Sequence, residues 1–68
     1  MNVNDTLILA RKHLGGSMES SALLCLTQAI EHKDAGAYDL ARQWAIRSLS
    51  YSIGILHPDY QRAIKAAA

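Results

Sequence analysis

An all-α fold is predicted by three features of this 68-residue chain. Half of the residues are hydrophobic, yet only Tyr38, Trp44, Tyr51 and Tyr60 are aromatic and there is no Phe, so Ala, Leu and Ile must fill the interior. That filler suits closely packed helices better than a sheet, where Val, Thr and aromatics would be enriched. Val3 is the only valine, and no stretch alternates apolar and polar residues with the period of two that marks a half-buried strand. Apolar residues recur instead at helical spacing. The length predicts a single domain over residues 1–68, near the lower size at which one hydrophobic core sustains a fold.

The first helix is expected over the segment TLILARKHL, capped by Asn4 or Asp5, with Leu7, Ile8, Leu14 and Ala10 on its apolar face. Arg11, Lys12 and His13 near its end suit the negative pole of the helix dipole. Gly15 and Gly16 stop it, one of them in the left-handed region. Ser17 is the expected cap of a second helix from Met18 to about Lys33, with Glu19 in its first turn. Its stripe reads Met18, Ala22, Leu23, Leu26, Ala29 and Ile30, with Cys25 at the edge and Leu24 outside. The break at 33–36 has the length that joins antiparallel helices.

A third, long helix is expected from Ala37 to His57. Ile46, Leu49, Ile53 and Leu56 form one seam along it; Ala37, Ala41, Trp44, Ser48, Tyr51 and Ile55 form another, roughly 150° away around the axis. Asp39, Gln43, Arg47, Ser50 and Gly54 make up its polar arc. A helix apolar on most of its circumference must be covered on most of it. One hairpin partner covers one seam, so the second points to another surface. Pro58 ends the long helix and opens a short terminal one, with Asp59 in its first turn and Tyr60, Ala63, Ile64 and Ala67 on one face. The expected architecture is an antiparallel helical hairpin with short flanking helices, dimerising into a four-helix-type bundle.

Composition narrows the function. Seven basic and six acidic residues, a net charge of +1, are spread without a run or stripe, which argues against nucleic acid and anionic membrane as partners. The helix after Gly15-Gly16 begins SMESSALL, without the Arg, Lys, Asn or Gln that read base edges. No apolar run is long enough for a bilayer, and no charged n-region precedes the first apolar stretch. The lone Cys25 excludes an internal disulfide and fits a reducing, cytoplasmic compartment. No serine lies in a nucleophile elbow, and His13, His32 and His57 are far apart in sequence without an acid in a triad-like pattern. With one cysteine and no histidine pair at i, i+4, no metal or cofactor is expected, and the chain reads as a non-enzyme.

The residues that carry weight lie on the third helix. Trp44, Tyr51 and Tyr38 present large aromatic area of the kind enriched in interface hot spots, and Arg42 and Arg47 flank them as candidate ion-pairing groups. These five are the candidate partner-binding set. Interleaved small residues, Ala41, Ala45, Ser48 and Ser52, would let another helix approach closely. With Ile55 they form the candidate dimer interface, through which a C2 dimer would extend a small core.

Two resemblances rest on these residues. Gly36, Tyr38 and Ala41 between two helices are spaced as in the turn and second-helix start of a tetratricopeptide-like hairpin, which would imply a small adaptor or assembly protein working by self-association. The first helix, however, lacks that repeat's Trp and Leu-Gly positions, and the proline comes too late. In length, hairpin layout, and Tyr38 with Trp44 early in the second long helix, the chain also resembles the small quorum-sensing anti-activator proteins of Pseudomonas phages. That resemblance implies a helical-hairpin homodimer in the host bacterial cytoplasm. It would bind the ligand-binding domain of a LuxR-type transcription activator and block its DNA binding, and would also inhibit the type IV pilus assembly ATPase. Trp44 would then anchor the regulator, with Tyr38 contacting the same region.

Overall fold

The computed structural model describes residues 1–67 as four helices: α1 (Val3–Lys12), α2 (Glu19–Asp34), α3 (Tyr38–Ser52) and α4 (Pro58–Ala67). The helix α1 starts earlier than expected because Asn2, rather than Asn4 or Asp5, is its cap. The Asn2 side chain accepts from the Asp5 amide at 2.9 Å, and the Asp5 carboxylate accepts from the Asn2 amide at 3.3 Å. This reciprocal capping box satisfies two amides that a helix start otherwise leaves open. One turn on, Thr6 is fully buried, its hydroxyl donating to the Asn2 carbonyl. Val3, Thr6, Leu7 and Ala10 share one side of the helix by their spacing, and Leu14 follows just beyond its end. Leu7 and Ala10 are buried there, and Val3 and Leu14 pack partly against the core. Ile8, expected on that face, lies across the axis from it and is 61% exposed.

The start of α2 also departs from expectation. Ser17 is not its cap; Met18 holds that position and offers no side-chain hydrogen bond. The backbone does the work instead, with the Glu19 amide donating to the Gly16 carbonyl across a turn in which Gly16 has φ 81°. The buried face of α2 is Ala22, Cys25, Leu26 and Ala29. It is rotated toward Cys25 relative to the predicted stripe, which leaves Leu23 and Met18 largely exposed. At the other end, the Ala37 amide donates to the His32 carbonyl at 2.8 Å and the Gly36 amide to the Lys33 carbonyl at 2.9 Å. With Gly36 at φ 82°, these two bonds make a Schellman stop, and the chain reverses into α3.

Every other helix packs on α3, with α2 making the most extensive contact. Its two predicted seams are the rims of one broad face. That face takes Leu49 and Ile46 from one seam, Ala41 and Ser48 from the other and Ala45 from the arc between them, and all five are buried. Small residues on both α2 and α3 bring the backbones together, and the Ser48 hydroxyl donates to the Ala22 carbonyl at 2.8 Å in the buried seam. Leu7, Leu9, Ala10, Leu26, Ala29, Ala45, Ile46, Leu49 and Ala63 then form one core drawn from all four helices.

The long helix expected to reach His57 stops at Ser52. Ile53 is its C-cap, and Gly54 follows at φ 82°, a conformation that glycine adopts without steric penalty. Ile55 and Leu56 therefore leave the helix for an exposed turn, Leu56 being 89% accessible. Pro58 opens α4 as predicted, but of the four residues expected on its inner face only Ala63 is fully buried. Tyr60 packs partly against the core, whereas Ile64 and Ala67 are exposed.

Truncating Leu49, at 0% exposure, should destabilise the protein by about 2–5 kcal/mol, whereas Ile8→Ala should stay within about 0.5 kcal/mol of wild type in urea unfolding. A Cβ on Gly54 would meet no neighbour within 4 Å, so Gly54→Ala isolates the backbone effect. A loss of about 1–2 kcal/mol is expected from the left-handed conformation alone.

Candidate functional site

Two places on the molecule carry side-chain chemistry beyond packing. The first lies on the outward side of α3, where Leu40, Gln43, Trp44 and Arg47 line an open groove of about 260 Å³. Their spacing, i, i+3, i+4 and i+7, puts them on one stripe. Trp44 is half-buried: part of the indole packs against the core and the rest lines the groove. The Arg47 guanidinium carbon sits 5.2 Å from the Trp44 ring centroid, a cation–π contact that holds a charge over the aromatic face. Tyr51 continues the stripe two turns beyond Trp44 and is exposed.

Tyr38 is exposed but lies about 120° around the axis from Trp44, off the groove stripe. Arg42 is half-buried on a different side of α3, where its Nε is buried without a hydrogen-bond partner among the described residues. Ala41, Ala45 and Ser48, expected to receive a second chain, are sealed inside the protomer. Their small size serves the close approach of the chain's own helices. Ser52 is half-buried with its hydroxyl turned back to the Leu49 carbonyl, and Ile55 belongs to the exposed turn after α3. Leu40 and Gln43 were not among the candidates, although i−4 and i−1 from Trp44 are the positions that would border it on a helix.

Cys25 is buried on α2. Burial pushes its thiol up from the usual range, partly opposed by the nearby Arg47 charge, so the thiolate a nucleophile needs is disfavoured.

The second place was not foreseen. His13, the C-cap of α1, meets His57 and Asp59 at the start of α4. His13 Nε2 lies 2.7 Å from Asp59 Oδ2, and Arg62 pairs with the other carboxylate oxygen. The Asp59 amide donates to His57 Nδ1 at 3.0 Å, and the two imidazole rings stand edge to face with centroids 5.2 Å apart. The hydrogen bond from His13, then that from Arg62, holds the Asp59 carboxyl down to about 2. Forty-six positions separate His13 from Asp59, and neither neighbourhood signals the other. The local half of the cluster, His57-Pro58-Asp59 at a helix start, was the one legible sign.

No protein family, curated protein or solved structure matches this chain. Among the described residues no helix is long and apolar enough to cross a membrane.

Because the Asp59 pKa is depressed in the folded state, its pairs add stability above about pH 4, the unfolded carboxyl range, and that contribution disappears as the pH falls toward about 2. Wild type should therefore exceed Asp59→Asn in urea midpoint at pH 5 to 6, with the gap closing between about pH 4 and about pH 2.

Proposed function

We propose that this protein is a non-enzymatic, protein-binding inhibitor that docks through the Leu40–Trp44–Arg47–Tyr51 stripe of α3. The observation that carries the reading is the half-buried Trp44 on the groove wall. A tryptophan anchored by the core on one side and open on the other is pre-organised for a partner and needs little ordering on binding. Leu40 and Tyr51 extend the apolar area, and Arg47 supplies a charge already held in place. A standard interface takes about 800 Å² per partner, roughly a fifth of the 4166 Å² this chain exposes, so a docked protein would extend well beyond the stripe.

The partner proposed is the one implied by the resemblance to phage anti-activators: the ligand-binding domain of a LuxR-type transcription activator. Inhibition would be steric, with the stripe occupying a surface that the activator needs for DNA binding or for its own assembly. The pilus assembly ATPase is the second proposed target, on the same ground. Homodimerisation stays in the proposal on changed footing. The lane of Ala41, Ala45 and Ser48 is closed inside the protomer, so a second copy would meet the exposed apolar groups Tyr51, Ile55 and Leu56. Those same exposed groups favour the competing reading, a small adaptor that works by self-association alone.

Binding of the purified activator domain to wild type, Trp44→Ala and Arg47→Glu separates these readings. Trp44→Ala should weaken capture by about 2–4 kcal/mol, roughly 30- to 1,000-fold, with helical circular dichroism retained. Arg47→Glu, which removes no core packing, should weaken it while costing at most about 1 kcal/mol of stability, the worth of the lost cation–π contact. If wild type ignores the activator and sizing shows concentration-dependent self-association that Tyr51→Ala or Leu56→Ser abolishes, the adaptor reading replaces the inhibitor.

A further inference from the structure

We propose that His13, His57 and Asp59 form a binding site for a divalent transition-metal ion, zinc foremost, which ties the end of α1 to the start of α4. Their candidate ligand atoms, one from each side chain, all lie within 4.8 Å of one another, the one such convergence of three among the described residues. Donors held tetrahedrally at zinc–ligand distances of about 2.0–2.1 Å sit about 3.3 Å apart. The His13–Asp59 separation of 2.7 Å must therefore open slightly and the widest gap close by at most about 1.5 Å, an adjustment on the scale of side-chain torsions.

The donor set points to the class of ion. Two imidazoles and one carboxylate suit zinc, nickel or ferrous iron, whereas magnesium and calcium favour all-oxygen sites. Three protein ligands leave a fourth position for water. The site can be reached from solvent, since the His13 and Asp59 side chains keep 18% and 15% of their exposure. Its surroundings are arranged for the task. Arg62 engages Asp59 Oδ1 and leaves Oδ2 directed at His13, which is how outer partners orient a ligating carboxylate.

Metal entry exchanges two hydrogen bonds for metal bonds. The Nε2–H that donates to Asp59 Oδ2 is surrendered to solvent as the ion takes that nitrogen, and the neutral ring carries its one proton on Nδ1. His57 gives up the hydrogen bond from the Asp59 amide, which lies in the first turn of α4 where such amides are readily left to water. The competing account is that His13, Asp59 and Arg62 form an ion-pair network complete in itself. Calcium-like chemistry is not in question, because that ion would find one oxygen-bearing side chain here.

Titrating zinc chloride into the full chain at neutral pH, followed by calorimetry and by thermal unfolding, decides between them. One zinc per chain is expected, with an unfolding midpoint that rises with zinc and not with magnesium. His13→Gln, His57→Gln and Asp59→Asn should each weaken zinc binding by at least about tenfold, and His32→Gln, which lies outside the cluster, should leave it unchanged. Asp59→Asn also removes the ion pairs and so lowers stability by itself, which makes His57→Gln the deciding variant: it keeps the His13, Asp59 and Arg62 groups. Absence of saturable one-to-one binding in wild type, or equal binding by His57→Gln, would overturn the metal site in favour of the self-sufficient ion-pair network.

Discussion

The Ser48 hydroxyl donates to the Ala22 carbonyl inside the α2–α3 seam, and much of the molecule follows from what that bond requires. A serine with no exposure is tolerable only with a partner at hydrogen-bonding distance. The bond therefore holds two backbones close and sets their register. That approach is possible because Ala22 and Ala29 on one helix and Ala41, Ala45 and Ser48 on the other are all small and fully buried. Larger residues at these positions would push the helices apart and strand the hydroxyl. Once α2 and α3 are this close, Leu26, Ile46 and Leu49 gather with α1 residues and Ala63 into a core shared by four helices, although the chain has few large side chains to offer.

The same packing decides what remains for function. Because α1, α2 and α4 all lean on α3, the inward arc of that helix is consumed, and the side chains left over lie on its outward side. Trp44 stands at the boundary, belonging partly to the core and partly to the groove. A tryptophan in that position couples surface recognition to the fold beneath it. The His13–His57–Asp59 cluster belongs to other elements, the end of α1 and the start of α4, and it joins parts of the chain that the α2–α3 seam leaves to weaker packing.

How much of this could be read from the residues varies with the range of the interaction that decides each feature. The existence of four helical segments, the glycine stops and the start at Pro58 are local matters, and they were legible. The end of α3 was not. The apolar period continues through Ile53, Ile55 and Leu56, and Gly54 falls on the polar arc where a helix would tolerate it, so periodicity outvoted the glycine. The apolar character of α3 is plain from its period, but Ala41, Ala45 and Ser48, expected to receive a second chain, pack inside the protomer. Alanine and serine look equally suited to an internal seam and to an external one, and only the position of α2 distinguishes the two. The groove beside Trp44 was half legible: the aromatic was marked, its neighbours Leu40 and Gln43 were not. Of the histidine cluster only the local half, His57-Pro58-Asp59, is legible, since His13 joins it only once α1 and α4 have been brought together.

Cys25 is the one thiol in the chain, and it is only 5% exposed on the face of α2 that the core covers, with its proton held more tightly than usual. While the helices stay docked, an oxidant or a disulfide reagent has almost no access to that sulfur. Its capture by such a reagent would time the momentary parting of α2 from its neighbours, which makes the native chain carry its own clock for breathing motions.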